Sequence, residues 1–146
     1  MTAYYLDASG WTKRYSLERG SEQVSLLFDP GNILGCATLG FVETCAAVAL
    51  RLNEPAAEEA GVVLDQIASD WMGFIRVQLT DDIAQQAAES AVRWRLRGAD
   101  AVHLASALYL QRRLGADGAE THFVCADEKL TTVARQAGLE VVDPTS

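Results

Sequence analysis

Four acidic residues lie far apart in the chain, yet each has a context from which its carboxylate could reach a shared site. Asp7 and Asp127 follow the apolar runs AYYL and HFVCA, which are typical of buried strands. Glu43 shares a helical face with apolar residues, and Asp100 opens the apolar helical segment ADAVHLASALYLQRRL. Carboxylates crowded together require cations between them, and oxygen-only ligands favour Mg²⁺ or Mn²⁺ over zinc. Such a site indicates metal-assisted phosphoryl transfer.

Each acid taken alone has a simpler explanation. Asp7, Asp100 and Asp127 lie at or just before predicted helix starts, where an aspartate commonly caps free backbone N–H groups. Glu43 could be a helix-edge glutamate that extends to water, although its predicted face also carries Leu39, Ala46, Ala47 and Leu50. A shared site explains all four placements at once. It also predicts that at least one of these carboxyl groups has a raised pKa when no cation is bound.

The composition predicts one ordinary globular domain over residues 1–146. The chain is 49% hydrophobic, and no apolar run approaches the roughly 18 residues that a membrane span requires. The N-terminus also lacks the features of a secretory signal, so we expect a soluble, cytoplasmic protein without membrane contact. The spacing of Cys36, Cys45 and Cys125 fits neither a disulfide framework nor a zinc site, which predicts reduced core residues.

The acidic balance of the chain bears on the kind of partner it can have. A formal net charge of −8 argues against a nucleic-acid partner, because phosphate binding usually leaves a basic footprint. A nuclease that holds divalent cations nevertheless needs carboxylates of its own, and the ions then set the local potential. Phosphodiester chemistry therefore stays compatible with this charge.

Hydrophobic periodicity and turn signals predict that strands alternate with helices along the chain. We expect Ser9 to cap the first helix, Thr80 to cap the helix after the third strand, and Asn53-Glu54-Pro55 to end the second helix. The predicted strands are residues 3–7, 33–36, 74–79, 122–126 and 140–142, and the predicted helices are residues 10–18, 38–52, 56–71, 81–96, 99–114 and 128–137.

This alternation predicts an α/β fold in which helices cover both faces of a parallel sheet. In such folds ligands bind outside the carboxyl ends of the strands. Asp7 and Asp127 each end a predicted strand, so we expect both at this edge.

Five short motifs follow one another along nearly the whole chain. They are LDAS near the N-terminus, FVET on the second helix, the RGADAVHLASAL helix, FVCADEKL and the closing AGLEVV. Together they resemble PIN domains, especially the small stand-alone toxins of VapBC toxin–antitoxin pairs. The resemblance implies a three-layer α/β/α fold with a central, mostly parallel sheet of about five strands in the order 3-2-1-4-5. It also implies an Mg²⁺- or Mn²⁺-dependent ribonuclease that hydrolyses RNA phosphodiester bonds.

The resemblance further implies roles for individual residues and partners. Ser9 matches the small hydroxyl or amide residue two positions after the first acid, and Glu128 is a candidate auxiliary ligand. A homodimer and a cognate VapB-like antitoxin, whose extended segment covers the acidic site, are also implied. The family's catalytic, metal-binding quartet falls on Asp7, Glu43, Asp100 and Asp127.

Basic and aromatic residues near these motifs are candidates for RNA contact, although a solvated helix face is the commoner explanation for such charges. Trp94 could stack on a base or face a partner. His103, one turn after Asp100, is predicted to be a hydrogen-bonded helix histidine rather than a general base. The candidate RNA contacts are Lys13, Arg14, Arg93, Arg95 and Arg97.

Other functions are less compatible with the residues. A haloacid-dehalogenase-like phosphatase would need a second Asp where Ser9 stands, and a receiver domain would need a phospho-acceptor after a central strand, whereas Asp29 follows no strand signal. The alternative that stays open is a catalytically inactive PIN-like module that acts only through protein interactions.

Overall fold

The computed structural model describes residues 1–52 and 57–146, and a parallel sheet of five strands lies at the centre of these residues. The strand order is β3-β2-β1-β4-β5, and every neighbouring pair is parallel. The expected α/β class, strand number and strand order are therefore confirmed. The strands are β1 (Thr2–Leu6), β2 (Ile33–Ala37), β3 (Ile75–Val77), β4 (Glu120–Val124) and β5 (Glu140–Val142).

Helices connect the strands and form a layer on each face of the sheet. Because crossovers between parallel strands are right-handed, the strand order places α1 to α4 on one face and α5 to α7 on the other, which gives the expected three layers. No helix within residues 1–52 and 57–146 combines the length and apolar character needed to cross a bilayer. The helices are α1 (Ala8–Trp11), which continues into a 3-10 turn (Thr12–Arg14), α2 (Ser21–Leu26), α3 (Thr38–Arg51), α4 (Ala57–Met72), α5 (Asp81–Trp94), α6 (Gly98–Gly115) and α7 (Glu128–Gln136).

An aromatic cluster fills the core on the side of α1, α3 and α4. The Trp11 ring stacks on Trp71 with centroids 5.6 Å apart and lies 4.6 Å from Phe74. Phe41 of α3 stacks on Trp71 as well. Trp11 and Trp71 are therefore core residues, and their burial anchors the first and fourth helices to the sheet.

The first helix begins earlier and is much shorter than predicted. The Asp7 carboxylate accepts the Gly10 N–H at 2.9 Å, so Asp7 is the N-cap and the helix begins at Ala8. The expected cap at Ser9 is wrong, because Ser9 lies inside this first turn. The sequence analysis also missed α2, and the predicted helix stop at Asn53-Glu54-Pro55 lies outside the described residues.

Boundary shifts at two other elements change what lies near the sheet edge. β4 ends at Val124 rather than at residue 126, so Cys125 belongs to the segment that carries Asp127. α5 ends at Trp94, two residues before the expected end, because the φ of 53° at its C-cap Arg95 is left-handed and stops the helix. Both differences concern the carboxyl edge of the sheet.

Candidate functional site at the carboxyl edge of the sheet

Asp7 occupies a buried position between the ends of β1 and β4. Its backbone N–H donates to the Val124 carbonyl at 3.1 Å, which continues the pairing of the two strands by one residue. Its Oδ1 accepts the Ser9 hydroxyl at 2.7 Å and the Gly10 N–H, and its Oδ2 faces the Cys125 thiol at 3.0 Å. The side chain is therefore held from three directions, and only 4% of the residue is exposed.

The pKa of the Asp7 carboxyl is raised, as expected for at least one acid of the site. The main cause is burial, which penalises the charged form; His103 and the hydrogen bonds from Cys125, Ser9 and Gly10 lower the pKa in part. We expected repulsion between neighbouring carboxylates to be the cause. In the structure, burial is the main cause of the raised pKa. The negative charge of Asp7 therefore opposes folding.

Glu43 lies on α3 with its side chain 32% exposed, and its Oε1 is 2.5 Å from Nε2 of His103. The apolar face that we assigned to it is wrong, because Leu50 is 83% exposed and Ala46 is also exposed. The buried face of α3 consists of Gly40, Thr44 and Val48. Glu43 is thus at the border between the core and solvent, and His103 is a hydrogen-bonded helix histidine, as predicted.

Asp100 is the acid with the weakest partner. Its Oδ2 accepts a hydrogen bond from Nε of Arg97 at 3.1 Å, within the first turn of α6. The Arg97 side chain is 81% exposed and the Asp100 side chain 20%, and an ion pair with so exposed a partner contributes at most about 1 kcal/mol. The Asp100 carboxylate can therefore exchange this partner at little cost.

Asp127 is the N-cap of α7, where its Oδ1 accepts the Leu130 N–H at 2.8 Å. Cys125 joins Asp127 to Asp7, because its sulfur also accepts the Asp127 N–H at 3.4 Å. Burial and the nearby Asp7 charge raise the pKa of the Cys125 thiol, so it stays protonated and donates to Asp7. Sequence analysis treated Cys125 only as a core residue; its place between a strand end and Asp127 was the available signal.

The two auxiliary candidates differ in how closely they join the site. The Ser9 hydroxyl donates to Asp7 and accepts the Ala126 N–H at 3.1 Å, so it connects the segments after β1 and β4. Glu128 is the first residue of α7 and is exposed to solvent. Ser9 therefore orients Asp7, whereas Glu128 is free to turn towards the edge.

The basic candidates fall into two groups. Lys13 is buried and paired with Glu18 at 3.2 Å, and Arg14 is paired with Asp70 at 3.0 Å, so both are used within the fold. The second group, on the α5–α6 corner, is exposed, and the Arg95 carbonyl there accepts a hydrogen bond from Nζ of Lys129 at 2.6 Å. This second group consists of Arg93, Arg95 and Arg97.

Trp94 is half-buried and packs against the core beside this corner. The guanidinium of Arg93 lies 4.8 Å from the centre of its ring. The tryptophan therefore has a covered face and a partner for its ring already within the chain.

The four acids have the chemistry of a site for a hard cation, although their side chains point to separate partners. Within the described ranges, no three Asp, Glu, His or Cys side chains converge closely enough to hold a metal ion. Glu43, Asp100 and Asp127 each use only one carboxylate oxygen in their hydrogen bonds to described residues. The oxygen-only donor set fits Mg²⁺ or Mn²⁺ in kind.

Comparisons with known proteins identify the family. No protein-family model matches the chain. Ribonuclease VapC45 of Mycobacterium tuberculosis (strain CDC 1551 / Oshkosh) is 37% identical over 112 residues, which cover 74% of this chain and 76% of that protein. The chain belongs to the VapC ribonuclease family. Ribonuclease VapC49 of Mycobacterium tuberculosis (strain ATCC 25618 / H37Rv) gives the same identity over the same shares of both chains.

Solved structures agree on the fold of this VapC family member. A chain of FitAB bound to an IR36 DNA fragment is 15% identical with a TM-score of 0.69, covering 98% of this chain and 96% of that one. A chain of VapBC-1 from nontypeable Haemophilus influenzae is 14% identical with a TM-score of 0.64, covering 99% and 100%. These neighbours confirm the PIN-like α/β/α fold.

The raised pKa of Asp7 predicts a pH-dependent effect of Asp7→Asn in EDTA. An acid whose pKa is raised by folding contributes stability that is present below its unfolded pKa, about 4, and lost as pH rises through the folded pKa. At pH 7 the neutral variant should therefore melt higher, by about 3 °C for each kcal/mol of relieved strain. The difference should disappear as the pH approaches 4.

Thermal unfolding followed by circular dichroism between pH 4 and pH 8 measures this effect. Asp117→Asn is the matched control for the loss of one acidic charge, because Asp117 is exposed in the loop after α6; its melting temperature at pH 7 should match the wild type. A lower melting temperature for Asp7→Asn at pH 7 would contradict the prediction.

Proposed function

We propose that this VapC family member is a ribonuclease toxin that hydrolyses RNA phosphodiester bonds with Mg²⁺ or Mn²⁺. The observation that supports the proposal is that Asp7 and Asp127 lie in the segments that directly follow β1 and β4, and that Glu43 lies on the helix that directly follows β2. Ligands bind at this edge in parallel α/β folds. In this proposal residues 1–146 act as one domain in the cytoplasm, where reduced thiols such as those of its three cysteines persist.

The proposed ligands are Asp7, Glu43, Asp100 and Asp127, with Glu128 as an auxiliary ligand. When bound, the cation supplies an activated water and neutralises charge on the leaving oxygen. The chain supplies the geometry: Ser9 and Cys125 hold Asp7 in place, and the Leu130 N–H orients Asp127. To bind the cation, the Asp100 carboxylate must give up its hydrogen bond to Arg97. The freed Arg97 guanidinium can then bind a substrate phosphate.

The exposed arginines supply the basic surface that RNA binding needs in an acidic chain. Arg93, Arg95 and Arg97 lie within five residues of chain next to Asp100, on the corner that Lys129 ties to α7. Lys13 and Arg14 are weaker candidates, since each already has a carboxylate partner. RNA is therefore expected to approach from the α5–α6 corner.

The proposed protein partners are a VapB-like antitoxin and a second copy of the chain. The antitoxin segment would cover the acidic edge and place an arginine against the carboxylates; the Arg97–Asp100 pair is an example of this contact within the chain. The inactive-module alternative keeps these partners but lacks the activity. The inactive-module alternative gains support only if the wild-type chain cleaves no RNA at any cation concentration.

Removal of the cation and removal of Asp100 test the proposed activity. Purified protein should cleave RNA with Mg²⁺ or Mn²⁺ and stop in excess EDTA. Asp100→Asn should lower kcat by about 100-fold or more, because losing even an outer partner of a metal site typically costs about 10–100-fold. Its circular dichroism spectrum should match the wild type.

The matched control is Asp82→Asn, which removes an exposed acid from the first turn of α5. This variant should cleave RNA at the wild-type rate. Full wild-type activity in excess EDTA would overturn the metal-dependent mechanism.

Replacing Arg93, Arg95 and Arg97 together with glutamine tests the RNA surface. If each contacts a phosphate, the slope of log K against log salt should flatten by about 0.7 per lost contact on single-stranded RNA. Arg112 and Arg113 lie at the other end of α6, and their replacement with glutamine should leave the slope unchanged. Equal slopes for the triple variant and the wild type would make the α5–α6 corner a solvated surface.

Co-expression with the product of the neighbouring gene tests the proposed partners. The pair should co-purify, suppress growth arrest and show the mass of a complex that contains two copies of this chain. Light scattering coupled to size-exclusion chromatography measures that mass. A neighbouring product that neither binds nor restores growth would contradict the antitoxin proposal.

A further inference from the structure

A continuous chain of hydrogen bonds runs through the core to Glu43. The Ala37 N–H donates to the Tyr5 hydroxyl oxygen at 3.1 Å, and this oxygen is 2.8 Å from Nδ1 of His103. Nε2 of His103 is 2.5 Å from Oε1 of Glu43. Tyr5 and His103 are buried, so this chain connects β1, the end of β2, α6 and α3 without solvent.

The direction of these bonds follows from the donors present. A backbone N–H can only donate, so the Tyr5 oxygen accepts from Ala37. A carboxylate can only accept, so Nε2 of His103 donates to Glu43, and Nδ1 of the neutral ring accepts the Tyr5 proton. A neutral imidazole that accepts at Nδ1 carries its own proton on Nε2. That proton faces Glu43. In this tautomer the Tyr5 hydroxyl donates to Nδ1, so Tyr5 stabilises the ring form that donates to the carboxylate.

Packing keeps the imidazole in this orientation. The Tyr5 ring stacks on Phe123 with centroids 5.7 Å apart and meets the His103 ring edge-on at 5.9 Å. α3 approaches so closely that a Cβ on Gly40 would clash with the Cys36 sulfur and lie 3.0 Å from Cε1 of His103. The ring is therefore enclosed between Tyr5 and α3.

Glu43 needs such support more than Asp7 or Asp127 does. Those two carboxylates accept backbone N–H groups from Gly10 and Leu130, whereas Glu43 lies in the interior of α3, where the backbone N–H groups are used by the helix. Its side chain is also longer and 32% exposed. Without His103, the carboxylate would sample several rotamers.

We propose that Tyr5 and His103 are positioning residues that hold the Glu43 carboxylate at the acidic site. The proposal rests on the ligand role of Glu43 in the proposed function. His103 acts through Glu43 and not on RNA, because its side chain is only 3% exposed and is closed in by Tyr5 and α3. Partners of this kind typically change metal affinity or activity by about 10–100-fold.

Tyr5→Phe is the decisive variant, and the chain offers a matched control. The Tyr15 hydroxyl also makes two hydrogen bonds, accepting from Nε1 of Trp11 at 2.8 Å and donating to Asp70 at 2.7 Å. Tyr5→Phe and Tyr15→Phe therefore remove the same atom, and each leaves one N–H donor without its partner. Tyr15 contacts α4 and has no bond to Glu43, so it reports the purely structural loss.

Mn²⁺ affinity is measured by electron paramagnetic resonance of the free ion, and cleavage by steady-state kinetics on an RNA oligonucleotide. Tyr5→Phe should weaken Mn²⁺ binding by about 10-fold or more and lower kcat, with little change in KM for RNA. Tyr15→Phe should lower the melting temperature similarly, without changing Mn²⁺ affinity or kcat. His103→Gln, which keeps an N–H donor near the Nε2 position, should retain more Mn²⁺ affinity than His103→Leu.

The ring tautomer provides a readout that needs neither metal nor RNA. Nitrogen-15 NMR of the metal-free protein should show His103 protonated on Nε2 in the wild type and a changed tautomer population in Tyr5→Phe. A wild-type ring protonated only on Nδ1 would overturn the proposal.

Two further outcomes separate this proposal from the proposed function. If the wild type binds Mn²⁺ and cleaves RNA while Tyr5→Phe matches Tyr15→Phe in both, Tyr5 and His103 are structural only, and the positioning role fails alone. If the wild type neither binds Mn²⁺ nor cleaves RNA, the proposed function fails and the positioning role fails with it.

Discussion

Asp7 connects three parts of the fold, and the segment that carries Asp127 is held against it through Ser9 and Cys125. Its amide extends the β1–β4 pairing to Val124, its carbonyl accepts the first helical bond from Trp11 at 2.9 Å, and its carboxylate caps α1. One residue thus ends a strand, begins a helix and binds the neighbouring strand. Burying a carboxylate opposes folding unless donors satisfy it, so the Gly10 amide, the Ser9 hydroxyl and the Cys125 thiol are all required around it.

The four acids are stabilised by donors that differ in how readily they can be given up. Asp7 is enclosed by an amide, a hydroxyl and a thiol; Asp127 accepts a helix N–H, an interaction worth about 1 kcal/mol. Glu43 depends on an imidazole, and Asp100 on an exposed guanidinium. The Asp7 carboxylate is thus held most firmly and the Asp100 carboxylate least firmly. Asp100 can therefore change its hydrogen-bond partner while Asp7 keeps its position.

Much of the architecture could be predicted because apolar runs and turn signals mark parallel strands well. The start of α1 could not, because a side chain that caps its own helix overrides apolar periodicity. The buried face of α3 was also mispredicted: Gly40 and Thr44 carry no apolar signal, yet they face the core where α3 lies close to Cys36 and His103. The apolar spacing therefore predicted that Leu50 lies on the buried face of α3, whereas its side chain is exposed.

The site residues, too, were predictable in their positions along the chain but not in their contacts. Asp7 and Asp127 could be predicted at the carboxyl edge because each follows a strand, and Asp100 could be predicted at the start of a helix. Their contacts with Cys125 and Arg97 depend on strand ends and rotamers that no spacing rule provides. One such contact, from Lys129 to the Arg95 carbonyl, acts as a strut across 34 residues of chain. This bond attaches the first turn of α7 to the α5–α6 corner, so the acidic and the basic sides of this edge are joined by a contact outside the sheet.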